Sequence, residues 1–182
     1  MVLTLVFVLA CFYFMLPAYI ANMTPVFVKG YKFLDSPIDG NRKWNGKPIL
    51  GRNKTWRGLV FAVIAAGFVA LLQFFIYPVI PDFGLINYND FGIVLPVALL
   101  LGFGAIFGDM AESFFKRRFG IDSGKPWVPF DQLDFVFGAL IFVSIVFYPG
   151  HVAAVVILVM SPILHILVNI IGYAMHLRDS RF

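Results

Sequence analysis

Charge is scarce in this chain. Only 13% of its 182 residues are Asp, Glu, Lys or Arg, where a soluble domain usually has about a quarter. There is a single cysteine, Cys11, so an intrachain disulfide cannot form and a disulfide-stapled secreted scaffold is excluded. No basic stretch precedes the first apolar run, so that run does not read as a cleaved signal peptide. A Cys/His cluster suited to zinc is missing, and so is the Gly-x4-Gly-Lys-Ser/Thr phosphate loop. What is abundant is apolar surface: 60% hydrophobic residues, 18% aromatic, 22 of them Phe. That composition argues against a soluble enzyme and against a disordered chain. The length suits one domain, 1–182.

A helix crosses a bilayer with about 20 mostly apolar residues, within a range of roughly 17–25. Five segments read as spans: about 2–21, 58–77, 91–115, 134–149 and 152–176. The last two are separated by Tyr148-Pro149-Gly150-His151, a tight turn by its Pro-Gly pair. A buried core helix would explain any one run, but not five in so short a chain. The expected fold is an all-α integral membrane protein with five transmembrane helices. Five crossings put the termini on opposite sides. Of the 14 Lys and Arg, eight lie between the first two spans, four between the third and fourth, and two in the tail. Positive residues stay in the cytoplasm. This places the N-terminus outside, the C-terminus inside, and the loops 22–57 and 116–133 on the cytoplasmic face.

The first of those loops is too long and too mixed to be a plain connector. It holds Ser36-Pro37-Ile38-Asp39-Gly40, then a run from Gly46 to Gly58 that includes Arg52, Asn53, Lys54, Thr55 and Arg57. Glycines let backbone N–H groups approach an anion, and Lys and Arg supply charge. Thr55 adds a hydroxyl. A nucleoside triphosphate or a lipid phosphate suits this run. Simple anchoring on anionic headgroups accounts for its charge but not for its composition.

In the second loop and the span before it, Asp109, Glu112, Ser113 and Lys116 are three or four residues apart and share one helix face. Asp109 follows 18 uncharged residues, Phe91 to Gly108, which sets it at the membrane rim. Ionisable groups at that depth are functional candidates; an internal ion-pair ladder is the competing reading. Asp131 and Asp134 lie one turn apart where the fourth span begins. Two spans thus bring carboxylates to one boundary. Such oxygen ligands suit Mg²⁺, which binds one or two carboxylates together with substrate phosphates. Basic loops and carboxylates at one depth make sense around a metal–polyphosphate complex. In the fifth span, His165 and Asn169, with Tyr173 and His176 beyond, read as a helix–helix hydrogen-bonding face, with Asn169 near enough to line a pocket.

The pattern Ser113-x3-Arg117-Arg118, Asp122-x-Gly124, Pro129 and Asp131-x2-Asp134 resembles a shortened signature of the CDP-diglyceride synthetase family. The Gly108-Asp109-x2-Glu112-Ser113 opening and the run Asn53 to Gly58 narrow the resemblance to its archaeal branch, the CDP-archaeol synthases. There are departures from the bacterial and eukaryotic pattern. Ile121 stands where that pattern has Lys, the His-Gly-Gly before the closing aspartates is absent, and Leu133 directly precedes Asp134. The resemblance implies a Mg²⁺-dependent cytidylyltransferase. It would pass CMP from CTP to 2,3-bis-O-(geranylgeranyl)-sn-glycerol 1-phosphate in the cell membrane. Carried onto these residues, it makes Asp109 and Asp134 the main metal ligands, with Asp131 and Glu112 in support. Lys116, Arg117 and Arg118 would neutralise pyrophosphate or hold lipid phosphate. Arg52, Asn53, Lys54, Thr55 and Arg57 would hold CTP, with Ser113 and Asp122 in the same binding set. No nucleic acid partner is expected, and a homodimer is left open. The rival readings are a cytidylyltransferase for phosphatidate, a small transporter using Asp109, Asp134 and His165, and a lipid-binding scaffold.

Overall fold

A computed structural model describes residues 5–80, 84–123 and 125–174, without the side chains of 165 and 168–174. Five helices follow in order: α1 (Leu5–Phe27), α2 (Trp56–Ile76), α3 (Phe91–Arg118), α4 (Phe130–Val143) and α5 (His151–Ala174). Among the described residues, α1, α3, and α2 with its short extension to Val79 are each long and apolar enough to cross a membrane. The molecule is a helical, multi-pass membrane protein. Two of the helix starts have local causes. Thr55 caps α2, its Oγ1 accepting the Gly58 N–H at 3.2 Å, and Asp90 caps α3 by accepting from Gly92 at 2.9 Å.

The fourth helix starts four residues before the span expected at 134–149 and stops at Val143. Pro129 can precede a helix without losing a ladder bond. In the first turn the Asp131 Oδ2 accepts the Trp127 N–H at 2.8 Å, which fixes the entry to the helix. The all-α expectation also needs an amendment. Strands β1 (Lys43–Trp44) and β2 (Lys47–Pro48) form an antiparallel hairpin, with Lys43 opposite Pro48 and Trp44 opposite Lys47. It turns on Asn45 and Gly46, with φ of 51° and 76°. Asn-Gly is the pair best suited to two left-handed residues in a two-residue turn.

Phe14, Met15 and Ala18 of α1 pack in the core with Leu101 and Ala105 of α3 and Phe135, Val136 and Ala139 of α4. Large apolar side chains of α2, among them Ile64, Phe68 and Phe75, face outward, which suits lipid as their surroundings. The contact that matters most for the site is between α3 and α4. Gly104 and Gly108, four apart on α3, lie against Gly138 of α4. A Cβ on Gly108 would run into the Asp134 carbonyl, and one on Gly138 into the carbonyl of Gly104. The two backbones touch, as small-x3-small contacts allow in membranes. Asp109, next to Gly108, is thereby brought beside Asp134.

Candidate active site

Asp109 and Glu112 project from one face of α3, and Asp134 comes from the first turns of α4. One carboxylate oxygen from each lies within 4.8 Å of the others. Two ammonium groups attend this cluster. Lys54 Nζ is 2.6 Å from Asp109 Oδ2, and Lys116 Nζ is 3.0 Å from Glu112 Oε1 and 2.6 Å from Asp131 Oδ1. Asp131 therefore stands beside the trio, holding Lys116 with one oxygen and the Trp127 N–H with the other. An all-oxygen donor set of three converging carboxylates is the chemistry that a hard divalent cation takes.

Open space surrounds the cluster. A cavity of about 520 Å³ is lined by Pro25, Val26, Leu59, Ile106 and Met110 but equally by Lys29, Asp35, Arg52 and Arg57, and it reaches Lys54, Asp109 and Asp134. A second, of about 260 Å³, is lined by Glu112, Ser113, Lys116, Arg117, Ser123 and Lys125 and reaches the same three residues. A third, of about 860 Å³, lies by the hairpin among Lys43, Lys47, Arg52 and Asp122. All three meet at Asn53. The Asn53 amide donates to Ser123 Oγ at 3.2 Å, joining the two loops across the site.

A family model described as CarS-like, CDP-archaeol synthase, matches residues 2–182. The chain belongs to the CDP-archaeol synthase family. The CDP-archaeol synthase of Thermococcus onnurineus (strain NA1) is 42% identical over 165 residues, covering 90% of this chain and 91% of that protein. The one from Halorubrum lacusprofundi is 39% identical over 180 residues, 95% of this chain and 96% of that protein. A solved structure, described as an intramembrane enzyme for archaeal membrane lipids biosynthesis, aligns with a TM-score of 0.75 at 33% identity. That alignment covers 90% of this chain and 94% of the other.

In this CDP-archaeol synthase family member, the basic residues expected at the site divide into two groups. Lys54 and Lys116 reach the carboxylates, and Arg52 and Asn53 line the cavities. The others also hold the loops. Thr55 is the α2 cap and lines the first cavity. Arg57 is buried, pairs with Asp35 at 2.8 Å and donates to the Tyr31 carbonyl, while still lining that cavity. Arg117 donates to the Ile121 carbonyl at 2.6 Å and closes the end of α3, while still lining the smaller polar cavity. Arg118 turns away to the hairpin. Asp122 lies on the wall of the third cavity, apart from the carboxylate trio. The His165, Asn169 and Tyr173 side chains, and His176 altogether, lie outside the described residues.

One organising residue escapes a reading of the sequence. Asp39 Oδ2 accepts the Leu50 and Gly51 N–H groups at 2.8 and 3.1 Å, and its Oδ1 accepts that of Asn41 at 3.0 Å. Burial works against its charge, but the backbone donors prevail and hold its carboxyl below the usual aspartate range. The only local signal is the Asp39-Gly40 pair, which marks a turn; the donors eleven and twelve residues away are visible only once the loop is folded.

Proposed function

We propose that this protein transfers CMP from CTP to 2,3-bis-O-(geranylgeranyl)-sn-glycerol 1-phosphate, forming unsaturated CDP-archaeol and pyrophosphate with Mg²⁺ at the cytoplasmic membrane face. The observation that carries the reading is the carboxylate trio from α3 and α4 with Lys54 and Lys116 beside it, in open space formed by three cavities that meet at Asn53. The relatives' shared name supports the product. Asp109, Glu112 and Asp134 are the residues that would hold the ion, which when bound supplies positive charge to the phosphates.

The lipid phosphate oxygen attacks the α-phosphorus of CTP. A new P–O bond forms there, and the bond to the bridging oxygen of the β-phosphate breaks, releasing pyrophosphate. The nucleophile is already anionic near neutral pH, so no strong base is required. Positioning and charge neutralisation then carry the rate. Lys54 and Lys116 bring charge to the phosphates, and Asn53 and Ser123 hold the two loops together around them. The apolar residues Pro25, Val26, Leu59, Ile106 and Met110 of the first cavity suit the glycerol end of a lipid whose tails remain in the bilayer, and the cavities by Lys116 and by the hairpin suit the nucleotide. The concentration of Lys and Arg in loops 22–57 and 116–133 supports the cytoplasmic placement.

The test is an assay of purified protein in detergent with radiolabelled CTP, Mg²⁺ and the geranylgeranyl ether lipid phosphate, with phosphatidate and EDTA arms. CMP transfer to the ether lipid, abolished by EDTA and restored by Mg²⁺, is the expected result. Transfer to phosphatidate alone would overturn the substrate, and transfer unaffected by EDTA would overturn the metal.

A further inference from the structure

We infer that Arg118 is a positioning residue for the nucleotide side of the site: it pins the hairpin to the end of α3 and so sets Leu50 to Lys54 against the carboxylates. Its Nη1 donates to the Trp44 carbonyl at 2.9 Å, and its Nη2 to the carbonyls of Lys47, at 3.3 Å, and Pro48. The guanidinium also lies 5.6 Å from the centre of the Trp44 ring and 5.1 Å from that of Phe114, within cation–π range of both. The hairpin grips back, since Lys47 Nζ donates to the Arg118 carbonyl at 3.1 Å. A side chain so engaged is turned to protein carbonyls and not to phosphate.

From that anchor the chain runs straight to the site. The Ile49 N–H donates to the Arg42 carbonyl at 3.0 Å, and the next two N–H groups are held by Asp39. Asn53 then reaches Ser123, and Lys54 reaches Asp109. The hairpin is a strut with α3 at one end and the Lys54 ammonium at the other. Its walls are unevenly shared. Lys47 and Pro48 line the cavity by the hairpin and Leu50 the cavity of about 260 Å³, and none of the three lines the cavity of about 520 Å³, which this segment reaches through Arg52, Asn53 and Lys54. Loosening the strut therefore acts most directly on the two cavities nearest the hairpin. This inference rests on the proposal that CTP binds there.

The experiment measures steady-state KM for CTP and for the ether lipid phosphate in the wild type, Arg118→Ala and Arg118→Lys. Hydrogen exchange of residues 43–54 is followed on the same full-length proteins in detergent. Arg118→Ala is expected to raise the CTP KM about ten-fold, the scale of one lost charge-assisted contact, while the lipid KM changes by clearly less. Exchange should accelerate in 43–54 and remain slow in the helices. Arg118→Lys should behave like the alanine variant, because an ammonium lacks the planar fork, and added guanidinium ion should lower the CTP KM of Arg118→Ala. A lysine variant with wild-type KM would overturn the inference, since charge alone would then suffice. Equal loss for both substrates, or unchanged exchange in 43–54, would overturn it too. Should Arg118→Ala fail to fold, Lys47→Met removes the reciprocal bond and should shift CTP KM and exchange in the same direction; no shift overturns the inference. A wild type that transfers nothing from CTP would instead sink the proposed reaction, and the exchange data would still decide whether Arg118 pins the hairpin.

Discussion

Asp109 answers to three partners: the Lys54 ammonium 2.6 Å away, and two further carboxylates close enough to share an ion with it. Replacing it by asparagine keeps the shape and removes the charge. CMP transfer by Asp109→Asn should fall by about a hundred-fold or more, the loss typical of an electrostatic group at a reaction centre, with circular dichroism unchanged. Near-normal turnover would remove Asp109 from the mechanism. Asp39 makes a different forecast. Its carboxyl is held below the usual range, so the stability it lends the loop is complete above the ordinary aspartate pKa and is lost as pH falls through the lowered one. Amide NMR signals of Leu50 and Gly51 in labelled protein should hold steady until that acid range and then shift together, whereas Asp39→Asn should abolish that transition. The residue scale is also where the sequence is most deceptive. Asp109, Glu112 and Lys116 declare themselves by helical spacing. The fates of Arg57 and Arg118 do not, because an arginine that binds phosphate and one that binds backbone carbonyls look alike until the loops are folded.

Among the elements, α3 and α4 act as one unit. Their contact is glycine against glycine, and the carboxylates of both helices emerge beside it. A methyl added at Gly138 must force the backbones apart. Gly138→Ala should therefore destabilise the protein by about 1–3 kcal/mol, as overpacking does, and should cost more activity than its melting shift alone explains. Gly30→Ala is the matching control, since a Cβ there meets nothing within 4 Å; thermal melts and transfer rates of the two variants should separate clearly. A small effect at Gly138 would mean that the helix spacing does not govern the site. The helices themselves were legible as apolar runs, and the α3 glycines stand four apart in plain view. The hairpin was missed, because strands of two residues leave no alternating pattern to read and Asn45-Gly46 is its only local signal. The early start of α4 was hidden because Asp131 and Gln132 interrupt the apolar run that marked the span.

At the scale of the whole molecule, the basic loops and the carboxylates lie at one end of the helices, so sidedness decides which compartment supplies the nucleotide. An introduced Asn89→Cys, exposed at the start of α3, should react with a membrane-impermeant maleimide on intact cells, and Ser36→Cys, exposed in the first loop, should not. Cys11 is buried within α1 and should give little background. The reverse labelling pattern would invert the proposed orientation. The orientation is an expectation from charge distribution that this labelling decides, whereas the joining of three cavities at Asn53 depends on how two distant loops meet.

The brevity of α4 reaches further still. Fourteen residues at about 1.5 Å each make a rod of about 21 Å, against roughly 30 Å of hydrocarbon in an average bilayer. A rod so short is matched by thinning the lipid around it or by shifting along the membrane normal, and either carries an elastic cost. Because α4 bears Asp134 and rests directly on α3, that elastic load falls on the spacing of the carboxylates. Transfer rates in reconstituted bilayers of graded acyl-chain length are therefore expected to pass through an optimum, and a rate indifferent to thickness would remove that link.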